Sequence, residues 1–168
     1  SGNYYRLGGD AANIAGFAAG YDSPGLFQGD MLLGNMDNVA FYRTVHIPIV
    51  RLLQKVTGDY GTAFVCLTGI HTLLHLVGFY LWGLVLLRNR VLAYSCAWAM
   101  SVTIGMTWGT FWGIYIDPIP RVTVSCLTGF LWAVSLCKLQ NRRVAFGIML
   151  AAGLLMYVHP VSAPTLAT

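Results

Sequence analysis

Four long apolar runs separated by short polar breaks organise the chain beyond residue 61. Residues 62–87 carry no charge and stop at Arg88-Asn89-Arg90, and 91–116 stop at Asp117-Pro118-Ile119-Pro120-Arg121. Residues 122–137 end in Lys138-Leu139-Gln140-Asn141-Arg142-Arg143, and 144–160 end at His159-Pro160. A hydrocarbon core of about 30 Å takes about 20 apolar residues of helix. The pattern therefore predicts an all-α integral membrane bundle of about four transmembrane helices, near 62–87, 91–116, 122–137 and 144–160. The third run is short and spans only where the bilayer thins or flanking residues contribute.

Residues 1–61 read differently, as an extracytoplasmic region of short and amphipathic helices ahead of the bundle at 62–168. Asp10 is placed to cap a short helix over 11–19, because a carboxylate accepts bonds from first-turn amides. The turn residues Gly20-Tyr21-Asp22-Ser23-Pro24-Gly25 should end it, with Asp22 closing a turn on its own backbone. Gln28-Gly29-Asp30 and Gly34-Asn35-Met36-Asp37-Asn38 read as loop. Val39, Tyr42, Val45, His46, Ile49, Leu52, Leu53 and Val56 then recur at helical spacing, with Arg43, Arg51 and Lys55 toward the polar side. Pro48 should kink or divide that helix. Its amphipathic pattern suits a place at the membrane interface or against the bundle.

Composition supports the membrane reading. The 168 residues are 57% hydrophobic and 10% charged, with mean hydropathy +0.64. Soluble domains carry about 25% charged residues, so a solvated single-domain enzyme, a disordered tail and a coiled coil are excluded. The net charge of +4 comes from scattered basic residues that form no stripe for nucleic acid. Those residues set orientation instead. Four alternating crossings put Arg88 and Arg90 on the same face as Lys138, Arg142 and Arg143, and the positive-inside rule makes that face cytoplasmic. Asp10, Asp22, Asp30, Asp37, Asp59 and Asp117 then all fall outside. The expected location is a bacterial inner membrane or a plasma membrane, with 1–61 extracytoplasmic. Cys66, Cys96, Cys126 and Cys137 sit within apolar stretches, form no CxxC pair and read as small buried hydrophobes. With no initiator Met, and with an apolar run stopping just before the last residues, the chain reads as part of something longer.

Asp10 follows Gly8-Gly9 and precedes a small-residue helix. Held near apolar surface it suits a general base or a cation ligand, and as plain structure it suits a helix cap. Arg121, stiffened by two prolines, suits bidentate contact with phosphate, or a snorkelling pair with Asp117. His71 and His75 share a helix face at the spacing of a metal pair, but the zincin Glu is missing, so bonding between helices is the expected role. His159 is placed at the outer end to meet Asp10 and Arg121, and His46 packs on the apolar side of its helix. Trp82, Trp98, Trp108, Trp112 and Trp132, with Tyr80, Tyr94 and Tyr115, suit an interfacial belt. Gly105, Gly109 and Gly113 predict close helix packing.

Gly8-Gly9-Asp10-Ala11-Ala12-Asn13, then Leu26-Phe27-Gln28-Gly29-Asp30, then an amphipathic helix entering a multi-span bundle, resembles the first outer loop of GT-C-type polytopic glycosyltransferases. Ile119-Pro120-Arg121 and Tyr157-Val158-His159-Pro160 extend the resemblance. Protein mannosyltransferase-like and oligosaccharyltransferase-like members belong to that class. The resemblance implies sugar transfer from a polyprenyl-phosphate donor to an extracytoplasmic acceptor that the sequence does not identify. Asp10 matches the essential first-loop Asp, a general base on the acceptor or a metal ligand, which makes a divalent metal the cofactor it leaves room for. Asp30 matches the second loop carboxylate, and Arg121, with His159, the donor contact. The partners implied are the lipid bilayer and the donor lipid, with no nucleic acid. The chain departs from the family in lacking the helix that should precede Asp10 and in having few spans. A transporter or channel with an intramembrane site at His71 and His75 is the rival reading.

Overall fold

Capping side chains and proline positions set the helix boundaries. The computed structural model describes residues 9–41, 44–102, 104–105, 111–114, 117–138 and 141–159. Its α-helices are α1 (Gly9–Asp22), α2 (Met36–Phe41), α3 (His46–Thr57), α4 (Tyr60–Leu87), α5 (Arg90–Ser101), α6 (Pro120–Lys138) and α7 (Arg142–Leu155). A 3-10 turn covers Pro24–Phe27, and strands β1 (Ile104–Gly105) and β2 (Phe111–Trp112) form a minimal antiparallel pair. Asp59, Asn89 and Asn141 accept bonds from the first-turn amides of α4, α5 and α7. Pro120 opens α6, where a missing amide hydrogen costs nothing. The chain divides into two compact units, residues 1–68 with 117–120 and residues 69–116 with 121–168. Gly8, Tyr42, Arg43, Trp108, Gly109, Tyr115 and Pro160 lie outside the described residues.

In the first unit α1 buries Ala11, Ile14, Phe17 and Ala18, one helical face, and Val39, Ile47 and Val50 join them in the core. α1 starts earlier and runs further than the sequence suggested: Asp10 lies inside its first turn, and Gly20-Tyr21-Asp22 are still helical. The expected helix through 39–56 is two helices, and Pro48 is not the break. It sits in the first turn of α3, where the backbone amides have no helical partner to lose. The buried stripe of α3 is His46, Ile47 and Val50, whereas Leu52 and Val56 are exposed. Gly34 closes the loop before α2 because a Cβ there would lie 2.5 Å from the Asp30 carbonyl oxygen.

In the second unit α4 and α6 run parallel and in step. His71 bonds to Thr123, Gly78 lies against Gly129 and Phe130, and Leu84 shares a cavity with Leu136. A Cβ on Gly129 would stand 2.5 Å from the Gly78 carbonyl carbon, so two glycines create this close crossing. α5 packs antiparallel on α4 through His75–Met100 and Gly83–Ala93, and α7 packs on α6 through Val124 and Leu155. Gly105 and Gly113, expected on one helix face, are not on a helix. Gly105 belongs to β1, and Gly113 follows β2 with φ +92°. Trp82 and Trp132 meet at a tilt, 5.6 Å between ring centroids, and each meets Phe79 edge-on.

Among the described residues, α4 and α6 are long and apolar enough to cross a membrane. The run 91–116 is not one helix: α5 stops after 12 residues, about 18 Å at 1.5 Å per residue. The antiparallel pair follows it, held by Ile114 N–H donating to the Ser101 carbonyl. α7 has 14 residues, about 21 Å. In α4 only 28% of the most apolar window is buried and in α6 39%, so much of their apolar surface is uncovered.

Candidate functional site

Charge divides between the two units. All six aspartates of the chain belong to the first unit. The sequence of the second carries Arg88, Arg90, Arg121, Lys138, Arg142 and Arg143 and no carboxylate side chain.

The first unit centres its polar chemistry on Asp22, at the end of α1. Arg51 Nε on α3 donates to Asp22 Oδ1 at 2.8 Å, and the Tyr60 hydroxyl donates to Oδ2 at 2.7 Å. The Arg51 guanidinium also lies 5.3 Å from the centre of the Tyr21 ring. The Arg51 bond lowers the Asp22 pKa, and the same bond raises that of Arg51. Asp22 therefore clamps three elements rather than closing its own turn. Sequence reasoning missed this cluster, although an Arg near the polar side of α3 was visible.

Asp10 is exposed on the first turn of α1, where a carboxylate favours the positive end of the helix dipole. Asp30 is exposed too, but its Oδ1 accepts from the amides of Leu32 and Leu33, each at 2.8 Å. Those bonds, Leu33 first, hold its carboxyl below the usual range. Asp30 thus builds its own loop. Asp59 accepts from the Thr62 hydroxyl at 2.6 Å and amide at 2.8 Å and caps α4.

His46 is fully buried and bonds to the Pro118 carbonyl at 2.8 Å. A carbonyl only accepts, so Nε2 carries the proton. Burial pushes the His46 pKa down to about 4. His46 therefore does more than pack: it fastens the diproline segment to α3.

His71 and His75, both buried, stand on one face of α4 in the second unit. His71 Nε2 shares a hydrogen bond with Thr123 Oγ1 at 3.0 Å, and His75 Nε2 donates to the Met100 carbonyl at 3.0 Å. They link α4 to α6 and to α5, the role expected of them. Arg121 is half-buried near the start of α6, and His159 is half-buried just after α7. Asp10 and Asp30 thus fall in the first unit, and Arg121 and His159 in the second. Among the described residues no three His, Cys, Asp or Glu side chains gather as a metal site. Compared with protein-family models, curated proteins and solved structures, the chain matches none.

Proposed function

We propose that this chain belongs to an integral membrane protein of the GT-C glycosyltransferase kind. In this reading α4 and α6 cross the bilayer, α5 with the β1–β2 pair and α7 make the returns, and residues 1–61 and 117–121 lie on the outer face. The observation that carries the membrane reading is the parallel α4–α6 pair, whose apolar surface is largely uncovered and whose far ends are basic. Lipid covers such surface without cost, and Arg88 and Arg90 then stand with Arg142 and Arg143 on the cytoplasmic side.

The transferase reading rests on the loop pattern around Asp10. Asp22, Asp30 and Asp59 are engaged in bonds that build the fold, whereas Asp10 stands exposed at a helix start. Asp10 would take the proton from the acceptor or hold a divalent metal, Asp30 would shape the loop, and Arg121, with His159, would contact the donor. A sugar on a lipid phosphate has a good leaving group, so positioning and charge screening are the main demands on the enzyme. The test is transfer of labelled sugar from polyprenyl-phosphate hexoses in membranes containing the protein. Asp10→Asn should abolish transfer while Asp37→Asn retains it. Wild-type transfer by Asp10→Asn would refute the assignment.

A further inference from the structure

The ends of α4 and α6 enclose an open cavity of about 690 Å³ lined by Leu84, Val85, Leu86, Arg88, Leu136 and Cys137. Ligand sites span about 300–1,000 Å³. Four of its lining side chains, Leu84, Val85, Leu86 and Leu136, are aliphatic on a lining that is otherwise largely polar. Leu86 and Leu136 are more than half exposed, and its one charged lining residue is Arg88. Nothing in the sequence of this unit supplies a carboxylate side chain to neutralise that guanidinium. We infer that this cavity binds an anionic phospholipid, with the lipid phosphate on Arg88 and an acyl chain along Leu84, Leu86 and Leu136. The inference rests on the membrane reading, since it puts the cavity at the cytoplasmic headgroup level.

The backbone at Arg88 points the same way. α3 ends on a left-handed residue that is glycine, Gly58 with φ +90°, whose amide donates to Gln54 O. α4 ends the same way, the Arg88 amide donating to Leu84 O, yet the left-handed residue is an arginine with φ +51°. A side chain there costs about 1–2 kcal/mol that glycine avoids. An exposed guanidinium at the mouth of this cavity, where it can fork onto two phosphate oxygens, gives that arginine a use. Arg90, Arg142 and Arg143 begin α5 and α7 at the same end and add to the attraction for an anionic headgroup.

Cys137, exposed on the cavity wall, reports occupancy. The whole chain, with Cys66, Cys96 and Cys126 replaced, is reconstituted in phosphatidylcholine vesicles with or without phosphatidylglycerol. Maleimide labelling of Cys137 is timed in each. An Asn141→Cys variant that also lacks Cys137 corrects for surface potential, because it lies at the same end outside the cavity. Phosphatidylglycerol should slow Cys137 about tenfold beyond that control, the worth of one charge-assisted phosphate contact. Arg88→Gly should abolish the protection while raising thermal stability, and Leu136→Trp should abolish it by filling the cavity. Inorganic phosphate added to phosphatidylcholine vesicles should protect nothing. Equal labelling in both vesicles, or protection that survives Arg88→Gly, overturns the site alone, and protection by phosphate alone overturns the lipid assignment. Protein that floats with neither vesicle overturns the membrane reading and the site with it.

Discussion

His46 Nε2 lies 2.8 Å from the carbonyl oxygen of Pro118, 72 residues further along the chain. The bond itself favours a protonated ring, but full burial outweighs it and keeps the imidazole neutral, and the consequence is a pH dependence with a defined sign. The folded pKa of about 4 lies below the unfolded 6.5, so between these values the unfolded chain binds the extra proton. Stability of the first unit is whole above about pH 6.5 and falls as pH drops toward 4, by about 3 kcal/mol in total. Thermal melts in detergent from pH 7 to 4 should show this slope, and His46→Phe should flatten it. A slope unchanged in His46→Phe would assign the acid sensitivity elsewhere.

Asp22 titrates with the opposite charge but the same consequence. Its pKa is lowered from 3.8 by Arg51, so its contribution is present above about 3.8 and is lost as pH falls through the folded value. The pair is partly open to solvent, with side-chain exposures of 32% for Arg51 and 23% for Asp22, which limits its worth to about 1 kcal/mol. Arg51→Ala and Tyr60→Phe share Asp22 and should therefore combine non-additively in a double-mutant cycle. Strict additivity would mean that the three side chains do not act as one cluster.

The glycine crossing between α4 and α6 makes a sharper stability prediction. Gly129→Ala forces its Cβ against the Gly78 backbone and should cost about 1–3 kcal/mol, the usual penalty of overpacking. Gly147→Ala on α7 meets nothing within 4 Å and should gain up to about 1 kcal/mol from helix propensity. Unfolding midpoints of the two variants should move in opposite directions.

Substitution of the α4 histidines distinguishes the proposed transferase reading from a transporter. Because His71 and His75 bond between helices, His75→Gln should lower stability and leave sugar transfer measurable, whereas Asp10→Asn should do the reverse. Ion or proton flux through vesicles that vanishes with His75→Gln would favour transport.

How much of this was legible in the sequence depended on whether the signal was local. The run 62–87 became α4 almost unchanged, because an uncharged stretch of that length has one simple backbone solution in an apolar setting. The run 91–116 misled because apolar composition does not distinguish helix from strand. Val102 and Ile104 are β-branched, Gly105 follows, and α5 ends just before them. Pro48 was read as a breaker because its place within the helix was unknown, and in the first turn it breaks nothing. Asp10 and Asp30 were visible as candidates, but the amides that engage Asp30 depend on a loop conformation that spacing does not encode. The Asp22–Arg51–Tyr60 cluster joins residues 29 and 38 positions apart, and the Gly78–Gly129 contact is a tertiary choice. Periodicity carries no information about either.

Sidedness is the proposition on which the functional account depends, and impermeant thiol labelling in intact cells tests it most directly. In a background lacking the four cysteines, single Ser23→Cys, Asn89→Cys and Asn141→Cys variants are exposed to a membrane-impermeant maleimide. The account predicts that Ser23→Cys labels in intact cells, while Asn89→Cys and Asn141→Cys label only after permeabilisation. Labelling at Asn89→Cys in intact cells with Ser23→Cys protected, or opposite accessibility at Asn89→Cys and Asn141→Cys, would contradict it.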